Sequence, residues 1–205
     1  MLNELSISDF LERTASAGPV PGGGSVAALA AALGAALTEM VAGLTVGRKG
    51  FESVDEEMAG IVRAAGGLRN KLSADVDRDA DAYSAVTAAF RKPKADPAEA
   101  EARQKAIQDA FKRAALVPLD VANDAVEVLD LAGAVVARGN PNAVSDGAAA
   151  VLMARAAARA ALLNVRINLG SIRDEAFVAE VSRQAEALEG EVRTREQAIL
   201  AGISV

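Results

Sequence analysis

Gly18-Pro19-Val20-Pro21-Gly22-Gly23-Gly24-Ser25 runs directly into Val26-Ala27-Ala28-Leu29-Ala30-Ala31-Ala32-Leu33-Gly34-Ala35-Ala36-Leu37. Two prolines hold the approach extended. Three glycines then strip the next turn of side chains and let another group come close. Ser25 is a candidate cap for the apolar run that follows, which meets no breaker until about Gly47. The stretch reads as a bare loop feeding the N-terminus of a buried helix of small residues. Such a helix start presents unpaired N–H groups and a partial positive charge, and so a site for an anion or a carbonyl. The plainer alternative is a tight turn with a small-residue face for close helix packing. No Gly-Lys-Ser/Thr follows, which excludes a Walker-type phosphate loop.

Composition agrees with a helical core of that kind. Apolar residues make up 51% of the chain but aromatics only 3%, so Ala, Leu, Val and Ile must build the core. The 205 residues suit one domain, residues 1–205. Small side chains leave each helix little area to bury, so subunit contacts are expected to help. A net charge of −6 argues against nucleic acid or an anionic membrane as partner. With no Cys there is no disulfide, thiol nucleophile or zinc-thiolate site, and with no His the commonest general base and metal ligand is missing. No metal site is expected, and any catalysis must run on carboxylates, Lys, Tyr, Ser and backbone groups. The polar N-terminus shows no signal peptide, so the cytoplasm is the expected location. The run Val26 to Val46 carries Thr38 and Glu39 and reads as a core helix rather than a membrane span.

Helical spacing extends in both directions from this run. Ser8 reads as the cap of a short amphipathic helix before the glycines. The central helix is expected from about Ser25 to Val46, with Gly47-Arg48-Lys49-Gly50 breaking it. Ser53 reads as the next cap, followed by Asp55, Glu56 and Glu57 where the helix dipole favours acids. Apolar residues then recur from Met58 through Leu72 and Val76 to Val86 with no proline before Pro93, which predicts one helix of nearly forty residues. Asp96 and Pro97 start another, running to about Arg138 with a kink expected at Pro118. Gly139-Asn140-Pro141-Asn142 is a turn, and Asn142 or Ser145 the cap of a buried helix from Ala148 to Leu169. A more polar helix covers about Asp174 to Leu200. No β alternation appears anywhere. The reading is all-α, with long antiparallel helices in an up-and-down bundle that dimerises.

Four constellations carry candidate chemistry. Asp75, Asp79 and Tyr83, each four apart, share a helix face that also holds Leu72 and Val76. An acid there can have its pKa raised and serve as a base; the alternative is ordinary surface acids beside a core tyrosine. Arg48-Lys49 closes the central helix, either as a basic cap or as a carboxylate binder. Asn140, Asn142, Ser145 and Asp146 surround a helix start, where capping accounts for most of them. Asn164 and Asn168 lie inside a very apolar helix, where buried amides need partners.

Taken in order, these pieces resemble one family. They are Pro21-Gly22-Gly23-Gly24-Ser25, Leu44-Thr45-Val46-Gly47-Arg48-Lys49, Asp79-Ala80-Asp81-Ala82-Tyr83, Arg91-Lys92-Pro93-Lys94, Gly139-Asn140-Pro141-Asn142-Ala143-Val144-Ser145-Asp146 and Leu163-Asn164-Val165-Arg166-Ile167-Asn168. The pattern is similar to that of the cyclodeaminase/cyclohydrolase family of folate enzymes over about residues 5 to 190. The resemblance implies an all-α homodimer that hydrolyses 5,10-methenyltetrahydrofolate to 10-formyltetrahydrofolate, or closes formiminotetrahydrofolate with release of ammonia. No cofactor beyond the tetrahydrofolate substrate is implied. The implied catalytic residues are Asp79, with Asp75 as the alternative, and Tyr83. The implied substrate contacts are Gly22, Gly23, Gly24, Ser25, Asn140, Asp146, Asn164 and Asn168, with Arg48 and Lys49 on the glutamate tail. Two positions depart from the usual pattern: one lysine is missing from the run at Arg48-Lys49-Gly50-Phe51, and Lys92 replaces the common leucine before Pro93-Lys94. Both touch basic positions and bear on the substrate form more than on the fold. The family's cyclodeaminases are fused to a transferase in the bifunctional enzymes, so the lack of such a domain here favours the cyclohydrolase. A reading from another class is a non-catalytic helical interaction module, in which the glycines and Asp79 merely cap and solvate.

Overall fold

The computed structural model describes residues 1–202. Among them six α-helices follow one another: α1 (Ile7–Ala15), α2 (Gly23–Gly43), α3 (Asp55–Phe90), α4 (Pro97–Arg138), α5 (Val144–Leu169) and α6 (Glu175–Ala201), with short 3₁₀ turns at Leu2–Glu4, Glu52–Val54 and Pro141–Ala143. No strand occurs among the described residues, so the fold is all-α.

Side-chain chemistry sets three of the six α-helix starts. Asp96 accepts from the Glu99 amide and Pro97 occupies the first turn of α4, as the sequence suggests. Asp174 does the same for α6 through the Phe177 amide. Other starts differ from the sequence reading. Ser6, not Ser8, caps α1 through the Asp9 amide. The glycines join α2, whose cap is Gly22, because a glycine run that bends freely also coils freely; Ser25 lies inside the helix. The 3₁₀ turn at Glu52–Val54 displaces Ser53, and α3 starts after Val54 with no side-chain cap. The 3₁₀ turn at Pro141–Ala143 likewise displaces Asn142 and Ser145, and Asn140 accepts from the Asn142 amide instead. Helix α3 is a single run of 36 residues, and α4 continues through the buried Pro118 for 42.

Helix α2 lies against α3, α4 and α5, and α4 packs on α3, α5 and α6. The main core is built from alanine faces, Ala27, Ala28, Ala31 and Ala35 of α2 against Ala150, Ala154, Ala157 and Ala161 of α5, with Leu72, Val76, Leu129 and Leu162 filling between them. Gly34 marks the closest approach of α2 and α5: a Cβ there would sit 3.2 Å from the Ala150 carbonyl oxygen. Two helical stretches, Gly23–Gly43 and Pro141–Leu169, are long and apolar enough to cross a bilayer, yet only 50% and 44% of their most apolar windows are buried. Both therefore turn apolar residues outward as well as inward.

Candidate functional site

A cavity of about 360 Å³ opens where the start of α2 meets α3, α4 and α5. Pro19, Val20 and Gly22–Gly24 form one wall, Asp79, Ala82, Tyr83 and Val86 of α3 a second, Phe111 and Ala114 of α4 a third, and Asn164, Ile167 and Asn168 of α5 the last.

Asp79 is its chemical centre. The Ser25 hydroxyl, fully buried, donates to Asp79 Oδ2 at 2.9 Å, and the Ser25 backbone N–H also bonds the carboxylate. Asp79 thus closes the N-terminus of α2 from a different helix, where the dipole favours an anion. Burial pushes its carboxyl above the ordinary carboxylate range and outweighs the opposing pull of the Ser25 bonds. Gly24 makes room for this contact: a Cβ there would lie 2.5 Å from Asp79 Cγ, an impossible overlap.

The two asparagines form a ladder on α5. Asn164 Nδ2 donates to the Ala160 carbonyl at 2.9 Å, and Asn168 Nδ2 to the Ala114 and Asn164 carbonyls at 2.8 and 3.0 Å. Both Nδ2 hydrogens of Asn168 and one of Asn164 are thereby used within the protein, and their Oδ1 atoms are left as acceptors along the cavity. Tyr83 stands one turn past Asp79 with 47% of its surface exposed, at the cavity wall rather than in the core. The cavity can hold a flat, partly polar ring, offer acceptors to its N–H groups and set one carboxylate against a cationic or proton-donating centre.

Several residues singled out in the sequence stand elsewhere. Asp75 is 2% exposed and bonds Arg78 Nη1 at 2.9 Å, within an α3–α4 network that also holds Lys71, Asp120 and Asp124; it lines no wall of the cavity. Arg48 and Lys49 border a separate shallow groove with Glu52 and Asp55 beyond the C-terminal end of α2. The 21 residues of α2 place that end about 30 Å from the glycines. Asn140 is engaged at the same end: its amide N–H donates to Thr45 Oγ1 at 3.0 Å, and its side chain receives the Asn142 amide. Asp146 lies in the first turn of α5 nearby. Within one chain, none of these four reaches the cavity. Conversely, Val86, Phe111 and Ile167 line it although their spacing reads as ordinary core.

The fold is all-α, and its cavity sets one desolvated carboxylate at a glycine-opened helix start. Residues 6–187 match the formiminotransferase-cyclodeaminase family, and the chain belongs to that family. It is 40% identical to a methenyltetrahydrofolate cyclohydrolase of Methylorubrum extorquens over 92% of this chain and 90% of that one. It is 31% identical to the formimidoyltransferase-cyclodeaminase of Rattus norvegicus, across 98% of this chain but 37% of that longer protein. The solved formiminotetrahydrofolate cyclodeaminase of Thermotoga maritima superposes with a TM-score of 0.87 at 32% identity, covering 97% of this chain and 96% of that one.

Proposed function

We propose that this chain is a folate one-carbon enzyme that hydrolyses 5,10-methenyltetrahydrofolate to 10-formyltetrahydrofolate, with no cofactor beyond that substrate. The observation that carries the reading is Asp79, a desolvated carboxylate with a raised pKa, set in a ring-sized cavity of a chain 40% identical to a named methenyltetrahydrofolate cyclohydrolase.

The methenyl carbon is already an amidinium-like cation, so water adds to it once a base removes a proton. Asp79, held by Ser25, stabilises the cation and accepts that proton; the tetrahedral adduct then opens by breaking the carbon–N5 bond, N5 taking the proton from Asp79 while the adduct's hydroxyl proton leaves to water as the formyl C=O forms. Gly22, Gly23 and Gly24 admit the ring beside the carboxylate. Asn164 and Asn168 offer Oδ1 to pterin N–H groups, and Tyr83 borders the reacting centre. Arg48 and Lys49 suit the glutamate carboxylates, but only from outside the chain that forms the cavity.

Cyclodeamination of formiminotetrahydrofolate is the second reading, and the Thermotoga match favours it. That protein bears the cyclodeaminase name and matches over 96% of its own length, so chain length does not separate the two activities. Both relatives are named as enzymes, which sets aside a non-catalytic module. The discriminating experiment follows methenyltetrahydrofolate loss by absorbance and ammonia release from the formimino compound in parallel. Hydrolysis without ammonia release supports the first reading, and the reverse result replaces it.

The antiparallel helix arrangement, a homodimer and a cytoplasmic location belong to the same proposal. The support for a dimer is the outward face of α2, where Val26, Leu29, Leu33, Leu37 and Met40 follow one another at helical spacing and Leu33 is 50% exposed. Helix α2 lies against α3 and α4, which carry many charges, so this face suits a second copy better than a bilayer. Nucleic acid is not an expected partner of a chain of net charge −6.

A further inference from the structure

A second cavity, of about 250 Å³, lies between α5 and α6. Arg155 and Arg159 of α5 meet Glu189, Arg193 and Glu196 of α6 around it, and the buried Val192 also lines it. None of these residues borders the cavity at the glycines. We propose that this groove is a separate ligand site for a phosphate dianion, either free or carried by a small phosphomonoester. It stands independently of the folate reading, since neither its residues nor its test involves Asp79.

The balance of charge points to an anion. Arg155 and Arg159 are one turn apart on one face of α5, and like charges at that spacing repel each other. Helix α6 then brings Arg193 to the same cavity. The two carboxylates in the wall are already engaged: Glu196 pairs with Arg155 at 2.8 Å, and Glu189 pairs with Arg166, one further arginine of α5. Arg159 and Arg193 have no ion-pair partner among the described residues. Four guanidiniums thus share two carboxylates, which leaves a surplus of two positive charges at the groove. The Glu189 carboxyl registers that field. Its pKa is lowered chiefly by the Arg166 hydrogen bond, with burial opposing, and further by the charges of Arg166, Arg159 and Arg193.

The residue type selects the anion. Every cation here is an arginine, whose planar guanidinium offers five N–H donors in a fork that takes two oxygens at once. Three such forks reaching in from two helices exceed what the two oxygens of one carboxylate can accept. A phosphate presents three or four oxygens in three dimensions, and its charge of nearly −2 at neutral pH matches the surplus. Once bound, it would tie α6 to α5 and remove the repulsion among the arginines, so binding should stabilise the fold.

Isothermal titration calorimetry of the parent protein with inorganic phosphate and, separately, with glycerol 3-phosphate tests the proposal. An ionic strength of about 0.15 M screens diffuse attraction. One saturable site per chain is expected, with Kd below about 1 mM. Phosphate at a hundred times Kd should raise Tm by about 5 °C. Tighter binding of glycerol 3-phosphate assigns the site to a phosphomonoester, and equal or weaker binding assigns it to free phosphate. Arg159→Gln with Arg193→Gln should weaken binding by about thirtyfold, as two charge-assisted contacts are lost. Both side chains are exposed, so the fold does not depend on them. Arg63→Gln with Arg173→Gln removes the same charge from exposed positions outside the groove, and should leave Kd within about twofold of the parent. The proposal is overturned by no saturable binding of either phosphate compound, by an unchanged Kd in the Arg159 and Arg193 variant, or by equal losses in the two double variants. Tighter binding of succinate than of phosphate overturns it too.

Discussion

Gly24→Ala should disable the enzyme while leaving its fold intact. Ordinarily a glycine replaced by alanine inside a helix gains about 1 kcal/mol of stability. At residue 24 the new methyl group would lie 2.5 Å from Asp79 Cγ, where ordinary van der Waals contact begins near 3.4 Å. One of the two must move by about 1 Å. The backbone of α2 is held by α3, α4 and α5, so the carboxylate gives way, swinging off the Ser25 hydroxyl and out of line with the ring. A misplacement of about 1 Å in a positioned catalytic group costs on the order of a hundredfold in rate. We therefore expect kcat for methenyltetrahydrofolate hydrolysis to fall about a hundredfold in Gly24→Ala, with Tm within a few degrees of the parent. Gly23→Ala is the comparison: its methyl group meets Asn164 Nδ2 at 3.4 Å and leaves Asp79 in place, so the loss there should fall on KM, with kcat within about tenfold of the parent. Stopped-flow absorbance of the methenyl chromophore measures both. Parental kcat in Gly24→Ala, or a larger loss in Gly23→Ala than in Gly24→Ala, would refute the placement of the reactive carboxylate against the start of α2.

Other expectations follow from the same geometry. Because burial raises the Asp79 pKa, hydrolysis should rise with pH along a limb centred above the usual carboxylate range and level off once Asp79 is ionised; a limb centred at an ordinary aspartate value would contradict this. The same shift makes the native state hold its proton more tightly than the unfolded chain, so stability is lost as pH climbs from the unfolded pKa to the native one. Asp79→Asn should consequently have a higher Tm than the parent at pH 7 and a difference that shrinks toward pH 4, measured by calorimetry. Arg78→Met strands the buried Asp75 carboxylate, whose Oδ2 already has no partner, and should cost about 3 kcal/mol in urea titration while leaving KM near parental.

Helix content was legible from periodicity, and the starts of α4 and α6 from Asp96-Pro97 and Asp174, because those caps depend on local chemistry alone. The start of α2 was not legible locally: three glycines are equally compatible with a loop and with a first helical turn, and the carboxylate that satisfies Ser25 comes from α3, 54 residues away. Asp75 and Asp79 look alike in sequence, one turn apart on one face. They separate only when α4 brings Asp120 and Asp124 beside the first and the glycines of α2 open a cavity beside the second. Phe111, Val86 and Ile167 gave no signal, since a cavity wall and a core have the same apolar period. Arg48 and Lys49 belong to the sequence pattern of the family, yet their distance from the cavity is set by the length and direction of α2 and appears only in three dimensions.

The central claim is that Asp79 carries the hydrolysis of 5,10-methenyltetrahydrofolate. Single-turnover hydrolysis by the parent, Asp79→Asn and Asp75→Asn proteins, compared in one experiment, tests it most directly. Asp79→Asn keeps the shape and removes the charge, and should lose about 10²–10⁴ in rate. Asp75→Asn, buried away from the cavity, should stay within about tenfold of the parent. Near-parental hydrolysis by Asp79→Asn, whether or not Asp75→Asn fails, would contradict the account.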